Sequence, residues 1–467
     1  MSSEASSKYD REFIYRENAW ELYPDVDADD PWAKAPPIDY GQDKIAPQPY
    51  YSETAKNQEW DKLWTKTWLI AGVAADIPNA GDYFTYQHGK ESFIISRTGN
   101  GKIEAMYNVC AHRGSRVVLG DFGHVKSFTC PFHSWEYSLD GDLLKITDEE
   151  EFPEEAICPR GSLKKVRCET WGGFVFINMD DEAEELQEYL GVTPSYLDPY
   201  HLDQWTVLSE VQIEVKANWK TGVDAFIEGY HVHAVHPELA DHWEDRQVQY
   251  DCYSKGHSRM IVPFGLRSSR LTDELTELNE PLTELLKQFG VDAKDYEGPL
   301  DNVRKILPEI KRKWAEENGI DFFDLSDQHL INNPSYHIFP NATINAQGDN
   351  ALLQRWIPHA EDPEKLIYSI IALLPPMKNP GETKLINMAD QGGDSWQVDV
   401  DETQARTRIR AERGEDVGYV LHQDVIQMEL SQMGIRSDSF NGMVLGPQEI
   451  RIRHYLAELD KYLTASD

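Results

Sequence analysis

The sequence has few cysteines, few basic residues and no long apolar run, and each shortage excludes a class of protein. Five cysteines in 467 residues are too few to indicate a disulfide framework. Lys and Arg number 45 against 81 Asp and Glu, a net charge of -36, which argues against a basic surface for nucleic acid. The longest apolar stretch, 366–374, falls far short of the ~20 residues that cross a bilayer. Because the first residues also lack the basic and apolar regions of a signal peptide, we expect a cytoplasmic protein with no membrane or nucleic-acid partner.

Two matching pairs of soft metal ligands are present. Cys110 and His112 form the first pair, and Cys130 and His133 form the second. Two thiolates and two imidazoles suit either a structural zinc ion or a 2Fe–2S cluster in which two histidines replace two cysteines on one iron. Zinc sites usually pair cysteine with cysteine and histidine with histidine, whereas each pair here mixes the two. The pattern therefore favours the cluster.

A second group of candidate ligands lies further along the chain, at His231, His233 and His236. A mononuclear ferrous site in oxygenases uses two histidines and one carboxylate. On a regular helix, His231 and His236 point ~140° apart, while His233 and His236 lie closer to one face. Pro237 disrupts any helix near His236, so the spacing alone leaves both pairs open.

The carboxylate of such a site has to come from elsewhere in the chain, and Asp424 is the leading candidate. It shares one helical face with Leu421 and Met428, and an ionised carboxylate on an apolar face is costly unless it is paired or bound to a metal. Glu429 and Asp416 are the next candidates.

The pattern of predicted elements divides the chain into three parts. Residues 1–46 are predicted to form an arm that packs on the catalytic domain, anchored by Trp20, Leu22 and Trp32. Short strands predict a small antiparallel β domain over 47–180. Mixed strands and helices over 181–467 predict an α+β catalytic domain. Its main predicted elements are a strand over 206–215, a long helix from Trp219 to the His231 region, helices over 271–289 and 303–318, a run of strands over 336–374, and helices over 417–433 and 447–463.

Several blocks resemble one family. Cys-Ala-His-Arg-Gly at 110–114 and Cys-Pro-Phe-His-Ser-Trp at 130–135 closely resemble the two Rieske loops of ring-hydroxylating oxygenases. The block from Glu228 to His236 resembles the family's iron motif, an acidic residue, two residues, His, four residues, His. On these blocks the chain is identified as a Rieske non-haem iron oxygenase large (alpha) subunit, whose catalytic domain has a helix-grip, START-like fold.

The resemblance implies a role for each motif residue. Cys110, His112, Cys130 and His133 would hold a Rieske 2Fe–2S cluster, and a mononuclear Fe(II) would lie between His231, His236 and Asp424, which leaves His233 out. Glu228 stands where the family usually has aspartate. It would link a cluster histidine of one subunit to an iron-ligand histidine of the next.

The resemblance also implies a terminal oxygenase that uses dioxygen as co-substrate. Electrons from NAD(P)H would arrive through a separate flavin reductase, a ferredoxin or both, and the chain would form a homo-trimer, with or without a small beta subunit. We expect Asp224, Ala225, Phe226 and Asn345 to line the substrate pocket. Its aromatic and aliphatic surroundings predict a small apolar substrate, aromatic or polycyclic, as in aromatic hydrocarbon catabolism.

Two alternatives stay open. One is a monooxygenase that removes an O- or N-methyl group oxidatively or hydroxylates a non-aromatic substrate. The other is an electron-carrier Rieske protein without a catalytic iron, although a carrier needs only the first ~180 residues.

Overall fold

The computed structural model describes residues 26–27, 30–153, 161–322, 324–378, 408–412 and 414–465. These residues form three β-sheets with helices packed around them, so the predicted α+β fold class is confirmed. Trp20 and Leu22 of the predicted arm and Cys158 lie outside the described residues.

The amino-terminal half is built from short strands. They are β1 Leu69–Val73, β2 Asp82–His88, β3 Glu91–Arg97, β4 Ile103–Tyr107, β5 Phe122–His124, β6 Phe128–Thr129, β7 Glu136–Tyr137, β8 Leu143–Lys145, β9 Lys165–Trp171 and β10 Phe174–Asn178. An antiparallel seven-stranded sheet has the order β1-β10-β9-β4-β3-β2-β5, and β6-β7-β8 form a separate small sheet. The first Cys–His loop lies between β4 and β5 of the seven-stranded sheet, and the second lies between β6 and β7 of the small sheet.

The second half is organised around an eight-stranded sheet. Its strands are β11 Thr206–Val215, β12 Gln249–Cys252, β13 Ser258–Pro263, β14 Asn332–Ile338, β15 Ala342–Ala346, β16 Ala351–Pro358, β17 Leu366–Leu374 and β18 Arg408–Ala411. The order is β12-β13-β14-β15-β16-β17-β11-β18. Neighbours are antiparallel except β11 and β18, which run parallel.

The α-helices that surround these sheets are α1 Glu53–Glu59, α2 Leu186–Leu190, α3 Thr193–Leu197, α4 Trp219–Phe226, α5 Val232–Val235, α6 Glu280–Gln288, α7 Leu307–Asn318, α8 Asp327–Ile331, α9 Tyr419–Ile435 and α10 Ile450–Thr464. None of the helices in these parts of the chain combines the length and the apolar character that a bilayer crossing requires.

The predicted long helix from Trp219 to the His231 region is wrong, because α4 ends at Phe226 and α5 begins only at Val232. The carboxylate of Glu228 accepts the backbone N–H groups of Tyr230 and His231. A side chain that takes up local N–H groups competes with helical hydrogen bonds. The two histidines therefore lie on a turn and a short helix, where ideal helical angles do not apply.

The helix predicted over 271–289 is also shorter than expected and begins at Glu280. Asn279 caps it by accepting the N–H of Leu282 at 2.9 Å, and Pro281 occupies its first turn, where its missing N–H costs nothing. Upstream, Arg267 donates to the main-chain oxygen of Asp273 at 2.8 Å and holds that segment as a loop.

A buried ionic cluster joins the two halves of the molecule. Arg355 on β16 donates to the carbonyl of Ala71 on β1 at 2.6 Å and to Glu210 on β11 at 3.0 Å. The same Glu210 carboxylate lies 2.9 Å from Arg408 on β18, which also reaches Asp121 at 3.2 Å. One continuous hydrophobic core extends across both large sheets around this cluster, so the relative position of the two halves is fixed.

The described part of the predicted arm lies on the eight-stranded sheet. Trp32 is buried. Arg259 on β13 donates to the carbonyl of Ala33 at 3.2 Å, and the N–H of Ala35 reaches the carboxylate of Asp251 at 2.8 Å.

Candidate metal centres

The two Cys–His loops have the same backbone design. In the first, the N–H of Cys110 donates to the carbonyl of Ser115 at 2.8 Å. In the second, the N–H of Cys130 donates to the carbonyl of Trp135, also at 2.8 Å. The two loops therefore present their cysteine and histidine side chains in equivalent ways.

Each loop closes on a residue in the left-handed region, Gly114 with φ 74° and Ser134 with φ 58°. The N–H of each donates at 3.0 Å to the carbonyl of the cysteine that opens its loop. Glycine adopts this conformation freely, whereas serine adopts it at a cost. The second loop therefore carries some backbone strain that the first does not.

The four side chains of the loops fit a Rieske cluster. Cys110 and Cys130 are buried, and the rings of His112 and His133 lie 4.6 Å apart. His112 stacks on Trp135 at 4.8 Å, and its Nδ1 is buried without a hydrogen-bond partner among the described residues. A buried ring nitrogen left unpaired is costly, and iron ligation would satisfy it. Desolvation, with the neighbouring His133 and Arg113, lowers the pKa of His112 and favours the neutral form that binds metal.

Tyr137 contacts the sulfur of one cluster cysteine. Its hydroxyl lies 3.1 Å from Sγ of Cys110 and accepts the N–H of Ala111 at 3.2 Å. Because the N–H occupies a lone pair of the oxygen, the hydroxyl hydrogen is available to the sulfur. Hydrogen bonds to ligand sulfurs are one of the factors that set the reduction potential of an iron–sulfur cluster.

The structure brings His231, His236 and Asp424 together. Their ligand atoms all lie within 4.8 Å of one another. Nε2 of His236 is 2.9 Å from Oδ1 of Asp424, and Nε2 of His231 is 3.6 Å from the same atom. His231 precedes α5, His236 follows it, and Asp424 projects from α9. Two imidazoles and one carboxylate that converge in this way match the facial triad of non-haem iron sites.

The other candidates lie elsewhere. His233 is directed toward Asp245, 3.9 Å away. Glu429 accepts the backbone N–H of Lys216 at 3.2 Å, and Asp416 is exposed.

Each histidine of the triad is oriented through its second ring nitrogen. Nδ1 of His231 lies 2.5 Å from Glu228, and Nδ1 of His236 lies 2.6 Å from Oε1 of Gln423. These contacts leave both Nε2 atoms facing Asp424, as second-shell partners of metal-binding histidines do. Sequence reasoning found Glu228 but missed Gln423. The only available signal was that Gln423 directly precedes a candidate ligand.

The electrostatics of this triad suit a cation. Desolvation lowers the pKa of His231, but the carboxylates of Glu228 and Asp424 outweigh it and raise the pKa to about 9. The site thus concentrates negative charge that a proton or a divalent metal can balance. The donor set and the charge therefore both fit a ferrous ion.

Two of the predicted pocket residues lie on the triad's side of the sheet. The ring of Phe226 lies 5.1 Å from that of Trp356 and 5.5 Å from that of Tyr368. Tyr368 is close enough to Asp424 that the carboxylate adds to desolvation in raising its pKa. Asn345 reaches Tyr368 through Gln354, which donates to Asn345 at 3.3 Å and accepts from Tyr368.

The other two are directed elsewhere. Asp224 accepts hydrogen bonds from Tyr50 at 2.8 Å and Tyr455 at 2.6 Å, which ties α4 to α10. Ala225 packs against the main hydrophobic core.

Comparison with known families covers most of the chain. The family model "Rieske [2Fe-2S] domain" matches residues 67–165, and "Ring hydroxylating alpha subunit (catalytic domain)" matches 202–465. The glycine betaine monooxygenase oxygenase subunit of Pseudomonas aeruginosa is 33% identical over 70% of this chain and 76% of its own length. That of Chromohalobacter salexigens is 35% identical over 68% of each. The naphthalene 1,2-dioxygenase large oxygenase component of Pseudomonas aeruginosa is 32% identical over 47% of this chain and 58% of its own length.

Solved structures show the same fold. A quaternary ammonium Rieske monooxygenase superposes with a TM-score of 0.63 at 18% identity, covering 90% of this chain and 95% of the other. A naphthalene 1,2-dioxygenase bound to phenanthrene gives a TM-score of 0.63 at 18% identity, covering 92% and 94%. The chain belongs to the ring-hydroxylating alpha-subunit family of Rieske oxygenases, oxidoreductases that use dioxygen, a 2Fe–2S cluster and a mononuclear iron.

Proposed function

We propose that this chain is the oxygenase subunit of a monooxygenase that oxidises a small trimethylammonium compound. Three relatives that match two thirds or more of the chain at 33–35% identity are glycine betaine monooxygenase subunits. They favour the non-aromatic alternative over the apolar, aromatic substrate that the sequence suggested.

The observation that carries the proposal is the aromatic group beside Asp424. The rings of Phe226, Trp356 and Tyr368 lie within 5.8 Å of one another, and Phe226 keeps part of its surface exposed. Aromatic faces attract quaternary ammonium groups, most strongly where water is excluded.

We assign the cluster to Cys110, His112, Cys130 and His133, and the iron to His231, His236 and Asp424. When bound, the cluster supplies single electrons and the iron activates dioxygen. Glu228 and Gln423 hold the two imidazoles in the orientation that directs Nε2 toward the metal. The burial of His236 and Asp424 keeps bulk water from the reacting atoms.

The proposed reaction balances with two electrons and one proton. A methyl C–H bond of the substrate becomes C–OH, and the resulting N–CH2OH group breaks its C–N bond to release formaldehyde and a tertiary amine. The second oxygen atom of dioxygen leaves as water.

The test is a product assay with holoenzyme, dioxygen and a reductant. Glycine betaine should yield dimethylglycine and formaldehyde in equal amounts, and naphthalene should yield no diol. Oxidation of naphthalene without any of betaine would contradict the proposal. An electron carrier would oxidise neither and would hold only the two irons of its cluster.

We further propose that the active form is a ring of three copies in which the cluster loops of one copy meet the Glu228 region of the next. Phe132 in the second loop is 55% exposed, and Tyr230, next to Glu228, is 51% exposed. The outer face of α9, which carries Asp424 on its inner side, exposes Ile426, Leu430 and Met433. Exposed apolar groups of this kind mark protein interfaces, and three-fold head-to-tail contacts close into a ring.

Mass measurement in solution tests the assembly. The double variant L430E/M433E should give monomers, while Val192→Glu, at an exposed position outside the cluster loops and α9, should leave the trimer intact. A monomeric wild-type protein with full activity would contradict the ring. A reductase, with or without a ferredoxin, is the proposed electron donor, and a small beta subunit stays a prediction.

A further inference from the structure

One face of the eight-stranded sheet lies under the segment that carries the iron-ligand histidines. Sδ of Met260 on β13 is 3.8 Å from the position that a Cβ on Gly229 would occupy. On β16 and β17, Trp356 and Tyr368 contact Phe226 of α4. Because side chains alternate between the faces of a strand, the register of the strands identifies every other residue on this face.

The middle of this face is polar. Met260 pairs with Ser335, and Ser335 pairs with Asn345 on the next strand. Two residues before Asn345 on β15, Thr343 pairs with Gln354 on β16. Hydrogen-bonding side chains therefore occupy the floor between Met260 and Tyr368, where a pocket for a hydrocarbon ring would have aliphatic ones.

Part of this hydrogen-bonding capacity is unused within the described chain. Ser335 is 1% exposed, and its hydroxyl has no partner among the described residues. Gln354 donates to Oδ1 of Asn345 at 3.3 Å and to the hydroxyl oxygen of Thr343 at 3.4 Å. Asn345 thus accepts this bond through its oxygen, which leaves its amide nitrogen to donate elsewhere. Buried polar groups normally find a partner, so this pair of donors is suited to an oxygen-bearing ligand.

The strands themselves bring no charged side chain to this face, but the buried Arg451 on α10 lies against it, since its Nε donates to Oγ of Ser258 at 2.9 Å and its Nη2 donates to the carbonyl of Ser335 at 3.2 Å. By register, its residues on β13 to β17 are 258, 260, 262, 333, 335, 337, 343, 345, 352, 354, 356, 366, 368, 370, 372 and 374, and none of them is Lys, Arg, Asp or Glu. His337 is among them, and burial lowers its pKa so that it stays neutral. The guanidinium of Arg451, whose Nη1 has no hydrogen-bond partner among the described residues, therefore offers a carboxylate on this floor a countercharge beside Ser335. A zwitterion can place its carboxylate there and its cationic group against the aromatic rings.

We propose that Ser335 and Asn345 bind the carboxylate of a zwitterionic substrate through hydrogen bonds beside the Arg451 guanidinium, while its trimethylammonium group lies against Phe226. This proposal rests on the trimethylammonium function proposed above and deepens it. Gln354 contacts both Asn345 and Tyr368, so the two ends of the proposed ligand site are one side chain apart, which favours a short zwitterion. The two residues set specificity and take no part in the chemistry.

Calorimetry on the iron-loaded holoenzyme with two ligands tests the assignment. Glycine betaine has both charged groups, and tetramethylammonium has only the cation. Asn345→Leu keeps the side-chain volume but removes the donor. It should weaken binding of glycine betaine at least tenfold and change binding of tetramethylammonium less than twofold.

Turnover gives a second readout. Asn345→Leu should raise KM for glycine betaine with little change in kcat, and Ser335→Ala should do the same to a smaller extent. Ile344→Val is the matched control, since Ile344 is buried on the opposite face of the same strand and should change neither ligand. If Asn345→Leu fails to fold, as judged by the visible spectrum of the cluster, Asn345→Ser carries the same test with a smaller loss.

The outcomes separate this proposal from the one that it deepens. If both ligands weaken equally in Asn345→Leu, the residue is structural and the assignment is wrong. If the wild type demethylates glycine betaine and Asn345→Leu binds it unchanged, the carboxylate lies elsewhere and only this inference fails. If the wild type neither binds nor oxidises glycine betaine, the trimethylammonium function fails first.

Discussion

The two metal centres of this chain are built in opposite ways. The cluster centre uses two short loops with the same backbone hydrogen bonds, and each loop supplies a cysteine and a histidine two or three positions apart. The iron centre gathers His231, His236 and Asp424 from a turn, the end of a short helix and a helix 188 positions away. Its histidines are oriented by two different groups, a carboxylate and an amide.

The difference follows from what each centre has to do. A centre that only passes electrons needs a fixed set of ligands, and local loops fix them well. A centre that admits dioxygen and substrate needs ligands on one side and open space on the other. Elements that are distant in sequence can surround such a space, but their positions then depend on the packing of the whole domain.

The largest expected effect comes from removing the distant ligand. Asp424→Ala should abolish turnover and lower the iron content from about three to about two per chain, since a 2Fe–2S cluster keeps its own pair. Elemental analysis and the visible spectrum of the cluster measure the two effects separately. Glu429→Ala, five positions along the same helix, should retain both iron and turnover. An Asp424→Ala enzyme that turns over would show that the carboxylate ligand is elsewhere.

Glu228→Gln tests the link between the two centres. The amide keeps the shape of the side chain but removes the charge that faces His231, and such second-shell changes typically cost ~10–100-fold. We expect single-turnover oxidation of the reduced cluster to slow by that factor. Gln423→Met, which affects only His236, should weaken iron binding but leave this rate unchanged in iron-loaded enzyme. An unchanged rate in Glu228→Gln would remove Glu228 from the electron path.

The free energy of unfolding should depend on pH through Asp224, which ties the helix before the iron-ligand histidines to α10. Desolvation raises the pKa of Asp224 to about 7, while hydrogen bonds from Tyr455 and Tyr50 and the charge of Lys220 oppose the rise and Glu449 adds to it. In the unfolded chain the pKa is ~3.9. Between these values the folded state holds the proton, so the free energy of unfolding falls as pH rises through this window.

The matching variant is Asp224→Asn, which cannot ionise. Urea unfolding at pH 5 and pH 8 should show that the wild type loses up to roughly 2.8 kcal/mol more than the variant, from about 1.4 kcal/mol per pKa unit over the two units between pH 5 and the folded pKa. The visible spectrum of the native cluster over the same pH range serves as the control. Equal losses in the two proteins would contradict the shift.

The smallest expected effect is at the cluster. Tyr137→Phe removes the hydroxyl next to Sγ of Cys110 and should lower the reduction potential by roughly tens of millivolts, because a hydrogen bond to sulfur stabilises the reduced cluster. Spectroelectrochemistry measures it. Tyr83→Phe, whose ring packs on Phe128, should leave the potential unchanged. An unaltered potential in Tyr137→Phe would mean that the hydroxyl donates elsewhere.

The same contrast explains what could be predicted from sequence. The cluster pairs were evident because their ligands are adjacent and their loops are local. The spacing of the histidines alone did not choose between His231 and His233, and only the family motif did, because helical geometry does not apply to a turn that Glu228 holds by accepting backbone N–H groups. Gln423 was missed because its contact joins residues 187 positions apart. The polar face of the eight-stranded sheet could be identified only from the register of five strands, which no local pattern contains.

The ionic cluster of Arg355, Glu210 and Arg408 has a consequence for engineering. Its three side chains come from the second half, and across the junction they contact the main-chain carbonyl of Ala71 on β1 and the carboxylate of Asp121. A chimera that takes its amino-terminal half from one relative and its carboxy-terminal half from another keeps these three side chains together, but it leaves Arg408 without a carboxylate across the junction unless the amino-terminal half supplies an acidic residue at the position of Asp121. The stability of such recombined proteins should therefore depend on whether the two halves carry opposite charges at this junction.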